Sequence, residues 1–237
     1  MRRRLAVFAA CLALISAEAA PAQPADPEGP SCPSSFNWSS YPEMRFTVQP
    51  ADGGPVLLAE GVIDDNMIPR LRQALENFDG QEIRLRSPGG NERVARQAGF
   101  LIRERYLGTR VPAGWACASA CAFMFLGGIT RSVDPSGLVI VQMFTNVSDP
   151  AAVGAQIARG GESAQRLLTG IALDASLVAT EDNDYLIRMG VSRRLLTDIV
   201  YRMRGIGDAG HPAPRRCLTA EEMQRYNVVN GGPPRAD

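Results

Sequence analysis

At 237 residues, 45% apolar and 21% charged, the chain is long enough for one globular domain with a substantial core. It carries 25 basic and 25 acidic side chains; every basic one is arginine, lysine is absent, and the single histidine is His211. A charge balance this even argues against a nucleic-acid or anionic-membrane partner.

Residues 1–22 read as a secretory signal. Arg2, Arg3 and Arg4 form the basic start, Leu5–Ile15 a short apolar core, and Ala20-Pro21-Ala22 a cleavage site, with Ala17-Glu18-Ala19 as the other choice. The apolar core is too short to span a bilayer, and no later segment is apolar enough to do so. Export to the periplasm or medium is therefore expected, leaving 22 basic and 24 acidic residues and a net charge of −2. Four cysteines remain: Cys32, Cys117, Cys121 and Cys217. In an oxidising compartment they suggest disulfides with three possible pairings. Cys32 with Cys217 would tie the terminal segments together. Zinc is the rival for the cysteines, but Cys-x3-Cys with no nearby histidine is a poor ligand pattern. Cys117 and Cys121 could instead be small buried residues at a tight turn. No cofactor or metal is expected.

Residues 23–42, rich in Pro and Ser, form a flexible lead-in. One domain is expected over residues 43–230, followed by a tail over 231–237. Arg45–Val48 and Pro55–Ile63 alternate like strands around an Asp-Gly-Gly turn. Asn66–Phe78 places Ile68, Leu71, Leu75 and Phe78 on one helical face. Glu82–Arg86 is the next strand, broken by Ser87-Pro-Gly-Gly90. Asn91 then caps a helix running to about Tyr106. Thr109–Val111 is a strand, followed by Cys117-Ala-Ser-Ala-Cys121 and an apolar helix ending at Gly127-Gly128. Leu138–Phe144 is almost continuously apolar, as for a strand covered on both faces. Asp149-Pro150 opens a helical second half: a helix to about Arg159, then Glu162–Ala179, Glu181–Met189 and Ser192–Arg204, with a capping box at Thr219–Glu222. Strands alternate with helices and then give way to helices, so a βα-type domain with parallel strands is expected. Asn37-Trp-Ser39 and Asn146-Val-Ser148 match the glycosylation pattern by chance.

Ser119 carries the chemistry that can be read locally. A strand, a turn of small residues and a helix present its hydroxyl where unpaired N–H groups favour developing negative charge. Gly89 and Gly90, also between a strand and a helix, offer bare N–H groups that allow close approach, and Ala120 follows the serine with another. The competing reading makes Ser-Pro-Gly-Gly a plain turn and Ser119 a small packing residue.

Leu85-Arg-Ser-Pro-Gly-Gly90 together with Val111-Pro-Ala-Gly-Trp-Ala-Cys-Ala-Ser-Ala-Cys-Ala-Phe-Met-Phe-Leu-Gly127 resembles the ClpP/crotonase superfamily, and more closely its exported bacterial members with a Cys-Ala-Ser-Ala-Cys serine turn. The resemblance runs from about Val56 to Phe144, with a weaker stretch in Tyr185–Gly190 and Cys217–Asn227. It implies an α/β fold, a ClpP/crotonase-like spiral of ββα units with helical C-terminal elaboration, often assembled into homo-oligomers. It also implies Ser119 as nucleophile and Gly89, Gly90 and Ala120 as oxyanion-hole donors. The family histidine is expected near the end of the following strand, where this chain has Gln142. Its aspartate is expected before the last capping box, where Pro214-Arg215-Arg216 stands. A glutamine amide has no useful basicity and cannot accept the serine proton. A serine–lysine dyad is excluded by the absence of lysine. His211, in Asp208-Ala-Gly-His211, is the remaining imidazole, and Asp134 and Asp149 are carboxylates with nothing to set them above capping roles.

The expectation is an exported protein that keeps nucleophile and oxyanion hole but lacks the matching base. It would be catalytically impaired and would bind a peptide, an acyl-containing small molecule or a partner. The alternatives are an active serine peptidase or acyl hydrolase using Ser119 with His211, and thioester-enolate chemistry at the two backbone donors.

Overall fold

A computed structural model describes Cys32 and residues 36–142, 150–206 and 215–231. The signal segment, most of the lead-in, Asp149, Asp208 and His211 lie outside the described residues.

The chain enters through a hairpin of β1 (Arg45–Gln49) and β2 (Val56–Glu60), closed by a turn in which the Gly54 N–H donates to the Ala51 carbonyl. α1 (Met67–Glu76) then buries Met67, Leu71 and Leu75, one stripe at helical spacing. β3 (Glu82–Arg86) buries Ile83 and Leu85 and turns its arginines to the half-buried side. In α2 (Glu92–Glu104), Asn91 caps the first turn by accepting from the Val94 N–H at 3.1 Å. β4 (Gly108–Val111) continues the first sheet, β5 (Ala116–Ala118) begins a second, and α3 (Cys121–Leu126) follows the serine turn. β6 (Arg131–Val133) returns to the first sheet and β7 (Leu138–Gln142) to the second. α4 (Pro150–Ala158), α5 (Gly161–Arg188) and α6 (Arg194–Ile206) precede β8 (Arg215–Cys217) and α7 (Ala220–Arg225).

The molecule is α/β. The larger sheet has the order β1-β2-β3-β4-β6, parallel apart from the first pair; the smaller has the order β5-β7-β8, with β8 antiparallel. Three short strands, β5, β6 and β8, escape the sequence pattern because three residues are too few for alternation to register. The two helices expected over 162–189 are one 28-residue helix, α5. The run Glu181-Asp-Asn-Asp184 looks like a break, but Glu181 and Asp182 both pair with Arg96 of α2. The main core runs from the first sheet and α1, α2 and α3 on to β7, α5, α6 and α7; a smaller cluster of Ala116, Ala118, Ile140 and Cys217 packs against Cys32, Phe36 and Trp38. No helix among the described residues is long and apolar enough to cross a membrane.

Two fixtures hold distant elements together. Arg131, 1% exposed, spends its guanidinium on the carbonyls of Gly128, Asn227 and Val228 at 2.8–2.9 Å and so holds the C-terminal segment. Burial lowers its pKa to about 10, which still leaves the side chain charged. α3 meets α2 backbone to backbone: a Cβ on Gly127 would fall 2.4 Å from the Gly99 carbonyl oxygen and 2.5 Å from its Cα. Neither neighbour is a flexible side chain that could swing away. Gly127→Ala should therefore lower stability by about 1–3 kcal/mol, the usual cost of overpacking a filled interior, read as a shift in the urea midpoint at unchanged slope.

Candidate functional site

Ser119 sits at the junction of β5 and α3 with φ +54°, a left-handed conformation uncommon for serine. Of the other non-glycine residues with positive φ, Tyr106 and Asn227 lie just past helix ends and Ser136 in a turn, where such geometry is routine. Ser119 is different: a strand delivers it and a helix leaves it. Its N–H donates to the Ile140 carbonyl at 2.8 Å, and its carbonyl accepts from Ala122 at 2.9 Å, so both sides of the turn are fixed. Cys117 and Cys121 bracket it in a disulfide.

The Ser87-Pro-Gly-Gly90 loop is fastened to this turn. Ser87 donates to the Ala116 carbonyl and accepts from the Ala118 N–H, both at 3.0 Å, forming a parallel bridge between the end of β3 and β5. Gly89, at φ +101°, lies against the serine: a Cβ there would come within 2.8 Å of the Ser119 Cβ and 2.7 Å of the Ala118 oxygen. Gly90, at φ +142°, has no room either, since its Cβ would strike Ile63 backbone at 2.2 Å. Both positions require glycine for conformation and for space.

The three expected donors divide. The Gly89 N–H donates to the Ser87 hydroxyl at 3.1 Å, so it is engaged within its own loop. The N–H groups of Gly90 and Ala120 make no hydrogen bond to any described residue. α3 has only six residues, so what recommends the site is these N–H groups and not a long helix dipole. Gln142, the last described residue of β7, lines the same cleft as Ser119.

The other residues raised from sequence go elsewhere. Asp134 forms an ion pair with Arg110 at 2.8 Å. Arg216, in the segment where the resemblance expects an aspartate, is fully buried and holds Glu222 through Nε and Nη2 at 2.9 and 2.8 Å. Glu222 also completes the Thr219 capping box. The cysteines do not form a metal cluster: Cys32 pairs with Cys217 as Cys117 does with Cys121, each with Cα atoms 5.2 Å apart. No group of three or more His, Cys, Asp or Glu side chains among the described residues is placed to hold a metal ion.

Sequence reasoning missed the cleft and its charged wall. Ser119 opens into an apolar cleft of about 530 Å³ walled by Phe123 and Leu126 of α3, Val139 of β7, Leu186 of α5 and Leu195 of α6. Glu92 and Asp182 also line it, and Arg96 pairs with both and with Glu181. The i,i+4 spacing of Glu92 and Arg96 is visible in the sequence, but nothing local says that Asp182, 86 residues beyond Arg96, completes the group. Burial, and then the neighbouring Glu92 carboxylate, push the Asp182 pKa up to about 7 against the pull of Arg96.

A raised acid pKa has a definite stability consequence. Between the ordinary aspartate value near 4 and about 7 the folded protein holds a proton that the unfolded chain has released, so stability falls as pH rises through that window. Thermal midpoints measured across it should decline for the wild-type chain, and Asp182→Asn should reduce the slope. An unchanged slope would place the titration on another group.

No protein-family model matches the chain, and no curated protein does. Among solved structures, a mutant ClpP1 from Listeria monocytogenes aligns over 73% of this chain and 88% of its own at 13% identity, with a TM-score of 0.43. The chain is loosely similar to that protein in backbone shape.

Proposed function

We propose that this is an exported ClpP/crotonase-like protein, with the family's spiral of ββα units, that binds a carbonyl-bearing ligand at Ser119 and is impaired as a hydrolase. The single observation that carries the reading is the left-handed Ser119 turn abutting the Gly89-Gly90 loop, with Gly90 and Ala120 N–H groups unengaged among the described residues. Backbone strain of this type costs on the order of 1–3 kcal/mol and persists where the surroundings impose it, often at functional sites. Two donors of fixed position favour a polarised carbonyl.

Hydrolysis needs more. Gln142 shares the cleft with Ser119 where the resemblance expects an imidazole, and an amide orients a carbonyl or water without taking a proton. The ligand class is therefore a peptide or an acyl-containing small molecule, held more readily than turned over. Export is supported by the apolar leader and by two disulfides that an oxidising compartment would preserve. Assembly into a homo-oligomer rests on the family resemblance.

A fluorophosphonate probe tests the missing base directly. The folded, disulfide-intact chain should label no faster than its Ser119→Ala variant, because an unactivated serine is a weak nucleophile. Residual acceleration of ester hydrolysis up to about 10³–10⁴-fold over water is compatible with a cradle working alone. Rapid labelling abolished by both Ser119→Ala and His211→Ala would establish the active-hydrolase alternative.

A further inference from the structure

The cleft below Ser119 raises a separate question: what sits in it, and why are two carboxylates built into a largely apolar wall? The cleft falls within the usual range for small-molecule sites and is larger than any single side chain. Three of its lining side chains carry an ionisable group, Glu92, Asp182 and Tyr201. Tyr201, on α6, is 69% exposed, whereas Asp182 is 7% exposed and Arg96 8%. Facing Asp182 are Glu92 and Arg96 from α2, with Glu181 beside it on α5 also bound to Arg96. α3 and β7 contribute Phe123, Leu126, Val139 and Gln142 to the lining, none of which titrates.

Charge counting at this wall selects a ligand. With one proton on the Glu92–Asp182 pair, that pair and Arg96 together are neutral, and the remaining charge, Glu181, is the most exposed member of the group. A neutral, largely apolar wall suits an uncharged ligand. Lose the proton and the same wall becomes anionic, so an apolar ligand that strips water from it must leave a carboxylate less well solvated. Occupation of the cleft and protonation of the pair are then linked functions of each other, as any two coupled equilibria must be.

We propose that the cleft takes an uncharged aliphatic acyl chain, with its carbonyl at Ser119, and that the Glu92–Asp182 pair couples uptake of that chain to uptake of a proton. This rests on the reading of Ser119 as a ligand site, narrows its ligand to an aliphatic acyl chain, and supplies regulation by pH. Burial and the neighbouring Glu92 carboxylate raise the affinity of Asp182 for its proton, the direction this coupling requires.

The experiment uses decanamide, an uncharged aliphatic chain ending in a carbonyl, and follows its displacement of N-phenyl-1-naphthylamine fluorescence from the disulfide-intact chain. Between about pH 5.5 and about pH 8.5 the affinity should fall by about 10-fold, as the binding-competent protonated fraction falls. Asp182→Asn, which keeps a neutral hydrogen-bonding group at every pH, should bind with a variation of no more than about 2-fold over the same range. Wild-type affinity independent of pH, or a fall that persists in Asp182→Asn, would overturn the coupling while leaving the ligand site standing. Uptake undiminished in Ala179→Trp, which fills the cleft from α5, would place the probe elsewhere and overturn the proposal. A folded protein that takes up neither molecule at any pH would overturn the acyl-chain proposal, while the reading of Ser119 stands or falls by the fluorophosphonate experiment.

Discussion

The site depends on one close approach: the Gly89 backbone lying against the Ser119 turn, with no room for a Cβ between them. Everything that makes the serine unusual follows from holding those two segments together. Ser87 stitches the loop to β5 on either side of Cys117, and Ile140 of β7 pins the serine N–H from beyond. The two sheets, which otherwise share no strand, are joined at this point. A chain that relaxed Ser119 into an ordinary conformation would have to give up the bond to Ile140 or move the glycine loop. The disulfide bracketing the turn and the short helix after it act in the same direction, limiting how far the junction can open.

A second junction carries charge. Arg96 sits on the face of α2 that looks toward α5 and gathers Glu92, Glu181 and Asp182 around one guanidinium. Inside a protein a guanidinium so placed is held by geometry as much as by attraction, since removing a partner strands a charge away from water. The effect here is to fasten a long helix, mostly exposed from Gly161 to Thr180, at the end where its buried residues begin. Tyr185 reinforces it: the hydroxyl donates to the Phe123 carbonyl at 2.6 Å and its ring meets Phe100 and Phe123 edge-on. The same residues that close the cleft mechanically therefore set its electrostatics.

The β8 segment, where the family resemblance implies a carboxylate, is given over to structure. Arg216 is buried and satisfied in part by Glu222, which in turn caps α7. A cation fixed there cannot orient an imidazole by accepting its proton, and it makes that flank of the site a support for β8 and α7. This and the glutamine on β7 are what the proposed reading of Ser119 as a recognition site draws on.

Much of the scaffold was legible in the amino-acid order. The alternation in β3, the Asn91 cap, the apolar stripe of α1 and the Thr219 capping box are local patterns, and local patterns report on nearest neighbours along the chain. The serine turn and the glycine pair were readable for the same reason, as was the gap left by a chain without lysine and with one histidine. Only the tertiary structure decided the rest. It brought Asp182 to Arg96 across 86 positions, merged two expected helices into α5 by giving their charged seam a buried partner, and paired Cys32 with Cys217 across 185 positions. It also showed that the Gly89 N–H is engaged by Ser87 while those of Gly90 and Ala120 find no acceptor in the described chain. Periodicity records which face of an element is apolar; it says nothing of which distant charge or carbonyl that face will meet, because such contacts are set by how the elements pack.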